Sequence, residues 1–96
     1  MPGMRARTDR NHKEIMNAFR DCFCEVEDTS RLGRGFPDLV VNTPGGRLLL
    51  VEVKDGEKPP SERELTPAEV KFCKRFESHY RIVKSVDDVM EIMEVK

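Results

Sequence analysis

Two short apolar runs, Gly35 to Val41 and Leu48 to Lys54, flank the turn sequence Thr43-Pro44-Gly45-Gly46. Both are rich in Val and Leu and are bounded by turn residues, the pattern of β-strands. Pro44 presets φ and the glycines accept a positive φ after it, so the two runs close into a hairpin. Centring that hairpin on Gly45 pairs Leu48 with Asn42, Leu50 with Val40, and Glu52 with Asp38. Side chains alternate along a strand, so Glu52 and Lys54 share a face with Leu48 and Leu50. Facing carboxylates destabilise a sheet, and partial burial makes ionising both costlier still. A hard, oxygen-liganded cation such as Mg²⁺ resolves the conflict. The plainer alternative makes Asp38 a strand-edge cap and Glu52 and Lys54 a solvated strand end. The completeness of the set, and the way the remaining chain fits around it, weigh against that alternative.

Asp38 followed by Glu52-Val53-Lys54 resembles the PD-(D/E)xK nuclease signature. The longer string, Gly35-Phe36-Pro37-Asp38-Leu39, the Glu-x-Lys, and then Leu65-Thr66-Pro67-Ala68-Glu69, is similar to the VRR-NUC branch. The resemblance runs from about residue 12 to residue 88. It implies a restriction-endonuclease-like α/β fold with an αβββαβ core, a mixed central sheet and, here, a further C-terminal helix. It implies Asp38, Glu52 and Lys54 as catalytic residues, with Asp38, Glu52 and the Val53 carbonyl on the metal. A glutamate of the first helix joins them in the family, and Glu14 is the matching position. The family commonly carries Gln where this chain has Glu69, so Glu69 is either a catalytic group or only a helix cap. The products implied are a 5′-phosphate and a 3′-hydroxyl.

Ninety-six residues suit one domain with a small core, expected over 1–96 with 1–8 as an arm. No apolar stretch reaches the length of a membrane span, and the first residues lack a signal peptide's apolar region. A cytoplasmic location is therefore expected, in a bacterial host cell if the protein is phage-encoded. Cys22, Cys24 and Cys73 are an odd set, and their spacing with His12 or His79 matches no common zinc pattern. The net charge of −1 argues against indiscriminate coating of nucleic acid, but one bound divalent ion brings it to +1 and two to +3.

In chain order, the basic segment Met1 to Arg7, with Arg5 and Arg7, is either a solvated tail or an arm on DNA phosphates. A first helix is expected from about Asp9 to Cys22, capped by Thr8 or Asp9, with Ile15, Ala18, Phe19 and Cys22 inward. Phe23 to Asp28 reads as a strand. The loop that follows carries Arg31 and Arg34 between glycines, as a phosphate contact or an ordinary connection. Residues 55–64 form a long polar loop broken by two prolines. Thr66-Pro67-Ala68-Glu69 has the N-cap, the N1 proline and the capping-box acid of a helix start, and the helix is expected to continue to about Ser78. Tyr80 to Lys84 reads as a strand. Ser85 to Asp88 caps a last helix with Val86, Val89, Met90 and Met93 inward.

The expectation is a Mg²⁺-dependent DNA endonuclease, with Mn²⁺ substituting, in which Lys54 acts as a charge stabiliser or as a base. No separate sequence-reading module is visible, so selection by DNA shape is expected. Small stand-alone members of the family resemble Holliday-junction resolvases, and symmetric cutting requires two sites, hence a homodimer. Flap- or end-processing, restriction-type repair cleavage, and a catalytically silent DNA-binding module are the alternatives.

Overall fold

The computed structural model describes residues 8–94. Its elements are α1 (His12–Asp21), β1 (Glu25–Asp28), β2 (Leu39–Asn42), β3 (Leu48–Val53), α2 (Pro67–Arg75), β4 (Tyr80–Val83) and α3 (Val86–Glu94), with short 3₁₀ turns at Ser30–Leu32 and Pro60–Glu62. This is the expected αβββαβ order with a C-terminal helix. The sheet is ordered β1-β2-β3-β4, antiparallel except for the parallel β3–β4 pair. The expected hairpin register is the observed one: Leu48 pairs with Asn42, Leu50 with Val40 and Leu39 with Val51.

The two faces of this sheet have different tasks. Leu39, Val41, Leu49, Val51, Val53 and Val83 lie on one face and form the core with Ile15, Ala18 and Phe19 of α1 and Val89 of α3. Each such fully buried side chain contributes about 1.5–3 kcal/mol of transfer free energy. The opposite face carries Leu50, Glu52 and Tyr80, and α2 lies over it through Phe72, whose ring is 5.1 Å from Phe36 and 6.3 Å from Tyr80. One face is therefore a dry core, and the other holds charged groups beneath a partly exposed helix.

Several boundaries differ from expectation for local physical reasons. Helix α1 starts at His12, because Asp9 to Asn11 form a turn in which the His12 N–H donates to the Asp9 carbonyl. Neither Thr8 nor Asp9 caps it. Asn11 occupies the cap position, but its side-chain amide donates instead to the carbonyls of Lys54 and Lys84, at 3.1 and 3.0 Å. Phe23 is not in β1: its φ of 67° turns the chain and leaves the ring 85% exposed. β2 begins only at Leu39, since Gly33, Arg34 and Gly35 all have positive φ. Helix α2 ends at Arg75 rather than Ser78, with Phe76 at its C-cap.

Candidate active site

Asp38, Glu52, Lys54 and Glu69 line one cleft of about 450 Å³, together with Arg34, Asp9 and the first turn of α2. Each is held by a different piece of local structure. Asp38 directly precedes β2 and is fixed from behind by Thr29. The Thr29 N–H donates to the Asp38 carbonyl and its hydroxyl to the Pro37 carbonyl, both at 2.8 Å. In front, one Asp38 oxygen accepts from the Val53 N–H at 2.9 Å. Glu52 ends the row of β3 that faces α2, away from the core, and is 3% exposed. Lys54 follows on the same face, its Nζ 3.6 Å from Glu52 Oε2 and 3.0 Å from Glu69 Oε1.

Glu69 reaches the cleft from the opposite layer. Thr66 and Glu69 form a reciprocal capping box, in which the Glu69 N–H donates to the Thr66 hydroxyl and the Thr66 N–H to Glu69 Oε1. That same oxygen receives the Lys54 ammonium. Glu69 is thus both a cap and a partner of Lys54. Gly35 makes this approach possible: a Cβ there would sit 2.7 Å from the Ala68 carbonyl carbon and oxygen.

The electrostatics of the cleft are those of a crowded carboxylate pair. Burial, then the charges of Asp38 and Glu69, push the Glu52 carboxyl up to about 10, against a smaller opposing pull from Lys54. Burial raises Asp38 as well, with the Val53 N–H opposing. Without a cation, the pair is best satisfied by retaining a proton. Burial alone would lower the pKa of Lys54. The hydrogen bond and charge of Glu69, followed by Glu52, outweigh it and hold the ammonium above its ordinary value. Burial likewise opposes ionisation of Glu69, yet the Thr66 N–H and Lys54 keep its pKa below the ordinary carboxylate value.

Among the described residues no three or more His, Cys, Asp or Glu side chains group as a metal site, and what this cleft offers a divalent cation is a pair of carboxylates. The Asp38 and Glu52 carboxylates are hard oxygen ligands, and Glu52 Oε1 is buried without any hydrogen-bond partner. Glu14 does not line this cleft. It is exposed on α1 and lines a separate groove with Arg10, Asp55 and Asp88. The inward stripe of α1 is His12, Ile15, Met16 and Phe19, and two residues of helix turn Glu14 about 200° away from His12.

The start of α1 brings other groups toward the site. Asp9 lines the cleft, and buried His12 lies with Nε2 3.3 Å from Asp28 Oδ2. In the sequence Asp9 reads only as a cap and His12 only as a zinc candidate, because the turn that delays α1 until His12 has no local signature. Arg34 stands at the cleft wall and Arg31 is exposed on the adjoining turn. Arg5 and Arg7 lie outside the described residues.

The sheet order, with Asp38, Glu52 and Lys54 gathered at the end of its central hairpin, is the arrangement that the resemblance to a nuclease-type domain implies. Among solved structures, a chain described as "VRR_NUC domain" matches at 30% identity and a TM-score of 0.67, over 88% of this chain and 91% of that one. The chain belongs to the VRR-NUC family. No protein-family model matches its sequence, and no curated protein does. Among the described residues, no helix is long and apolar enough to cross a membrane.

Proposed function

We propose that this protein is a divalent-cation-dependent endonuclease that hydrolyses DNA phosphodiester bonds. The observation that carries the reading is the buried Asp38–Glu52 pair beside a charged Lys54, a costly arrangement that a cation relieves. Asp38 and Glu52, with the Val53 carbonyl, would hold the ion, Mg²⁺ or Mn²⁺. An ion in that position supplies Lewis-acid polarisation of the phosphate and counter-charge for the over-coordinated phosphorus. Lys54 acts as a charge stabiliser, because Glu69 holds its ammonium beside Glu52. Arg34 binds phosphate at the rim, with Arg31 beside it. Thr66, Ala68 and Glu69 form the opposite wall, and Glu69 orients Lys54.

The favoured substrate is branched DNA, and the favoured assembly is a two-fold homodimer that presents two such clefts to a four-way junction. The test is a panel of labelled junction, flap, hairpin and linear duplex DNA with Mg²⁺, run alongside Asp38→Ala and Lys54→Ala. Wild type should cut the junction, and both variants should lose at least about 100-fold in rate while still binding it. Equal cutting of linear duplex would remove the junction assignment in favour of end- or repair-type cleavage. Cutting by Asp38→Ala at the wild-type rate would remove the nuclease site itself.

A further inference from the structure

Tyr80 opens β4 beside the cleft. The parallel register sets it against Leu50, and alternation places it on the sheet face that carries Glu52. The residue is 6% exposed, and its ring lies 6.3 Å from that of Phe72. Its hydroxyl oxygen is buried and has no hydrogen-bond partner. A buried phenol ordinarily finds one, and an orphaned donor is costly. The neighbouring carboxylate shows the complementary deficit, since Glu52 Oε1 is buried and accepts from nothing. Burial first, then the charges of Glu52, Glu69, Cys73 and Asp38, push the Tyr80 pKa upward. The hydroxyl therefore remains a neutral donor among acids. Lys54 Nζ, the cation nearest Glu52, is already engaged by Glu69 and stands beside the other oxygen, Oε2.

We propose that Tyr80 is a positioning residue of this site: its hydroxyl donates through one buried water to Glu52 and fixes that carboxylate in the orientation that receives the cation. A buried, unpaired donor and a buried, unpaired acceptor on the same sheet face are the two partners such a water would bridge. The inference rests on the cation-dependent reading of the cleft. Its consequence is that removing a single oxygen atom from β4 weakens cation binding, although that atom never touches the ion.

The sequence supplies the instrument for the test. The chain has one tyrosine and no tryptophan, so fluorescence excited at wavelengths longer than phenylalanine absorbs comes from Tyr80 alone. Titrating the metal-free full chain with Mg²⁺ should change that emission saturably, and Asp38→Ala should abolish the change. Tyr80→Phe keeps the ring against Phe72. In calorimetry it should bind Mg²⁺ about tenfold more weakly, with a melting temperature no lower than wild type, and kcat should fall while KM for DNA holds. Wild-type Mg²⁺ affinity in Tyr80→Phe, or emission that stays constant while calorimetry shows Mg²⁺ binding, overturns the proposal. If Mg²⁺ binds and moves the Tyr80 signal but no DNA is cut, the nuclease reading fails and the positioning role stands. If Mg²⁺ does not bind, both fall. Should Tyr80→Phe not fold, the wild-type and Asp38→Ala fluorescence titrations decide the matter.

Discussion

At the scale of single residues, the cleft works by making carboxylates share too few protons and too few donors. Glu69 shows how one side chain serves two needs. Its Oε1 accepts from the Thr66 N–H at 2.9 Å and from Lys54 at 3.0 Å, so loss of the side chain removes a helix cap and releases the lysine together. Glu69→Ala should destabilise the protein by about 1 kcal/mol, the usual cost of a lost cap, and lower kcat/KM by about tenfold. Glu69→Gln keeps an acceptor of the same length. It should cost less than about 0.5 kcal/mol and retain cleavage within about threefold, because Lys54 keeps an oxygen to rest on. Urea denaturation and steady-state cleavage of a labelled substrate measure the two effects. If Glu69→Ala lost stability but cut at the wild-type rate, Glu69 would be a cap alone. The Lys54–Glu69 contact was invisible in the sequence for a simple reason: fifteen residues and a change of layer separate them, and neither residue's local pattern specifies the other. The Asp38–Glu52 pairing, by contrast, follows from two-residue alternation and one turn centre.

At the scale of elements, the site depends on how closely α2 approaches the loop before β2. Gly35 has φ +86°, and a Cβ would overlap the Ala68 backbone at 2.7 Å; Gly46 has φ +89° and open space around it. The pair separates backbone strain from close approach. Gly46→Ala should cost about 1–2 kcal/mol, the left-handed penalty alone. Gly35→Ala should cost that and more, about 3 kcal/mol or above, and should lower activity because α2 carries Glu69. Urea midpoints of the two variants give the comparison, and equal losses would mean that α2 simply shifts to make room. Legibility at this scale divides along the same line. The positions of the four strands and the hairpin register could be read from strand patterns and turn residues, because each of these is a local pattern. The strand start at Leu39 could not, since Gly33 and Gly35 permit a positive φ without dictating it and Arg34 gives no sign of one. Nor could the late start of α1, where Asn11 gives its amide to the ends of β3 and β4 instead of to its own helix. Tertiary hydrogen bonds outbid the local capping preference there.

At the scale of the whole molecule, the stability of the metal-free protein carries the mark of the cleft. A group whose folded-state pKa is raised binds more protons when folded than when unfolded, and stability then falls as pH rises between the two values. For Glu52 the window runs from its ordinary 4.5 to about 10. The slope for one proton is at most about 1.4 kcal/mol per pH unit. On the acid side the sign reverses. Asp55 is held below its ordinary value by the Arg10 hydrogen bond, then by the Glu57 N–H, so its contribution is present above the unfolded pKa and is lost as pH falls below it. The metal-free protein should therefore be most stable in mildly acidic solution and should weaken from pH 5.5 to 8.5. Addition of Mg²⁺ at pH 8.5 should restore stability by RT ln(1 + [Mg²⁺]/Kd), about 2.7 kcal/mol at one hundred times Kd. Glu52→Gln cannot lose a proton, so it should flatten the alkaline slope and remove the Mg²⁺ effect together. Urea midpoints at pH 5.5 and 8.5, in EDTA and in Mg²⁺, test this for both proteins. A wild-type profile that rises between those pH values would mean that Glu52 is ionised in the metal-free fold, and that Lys54 rather than a cation answers its charge.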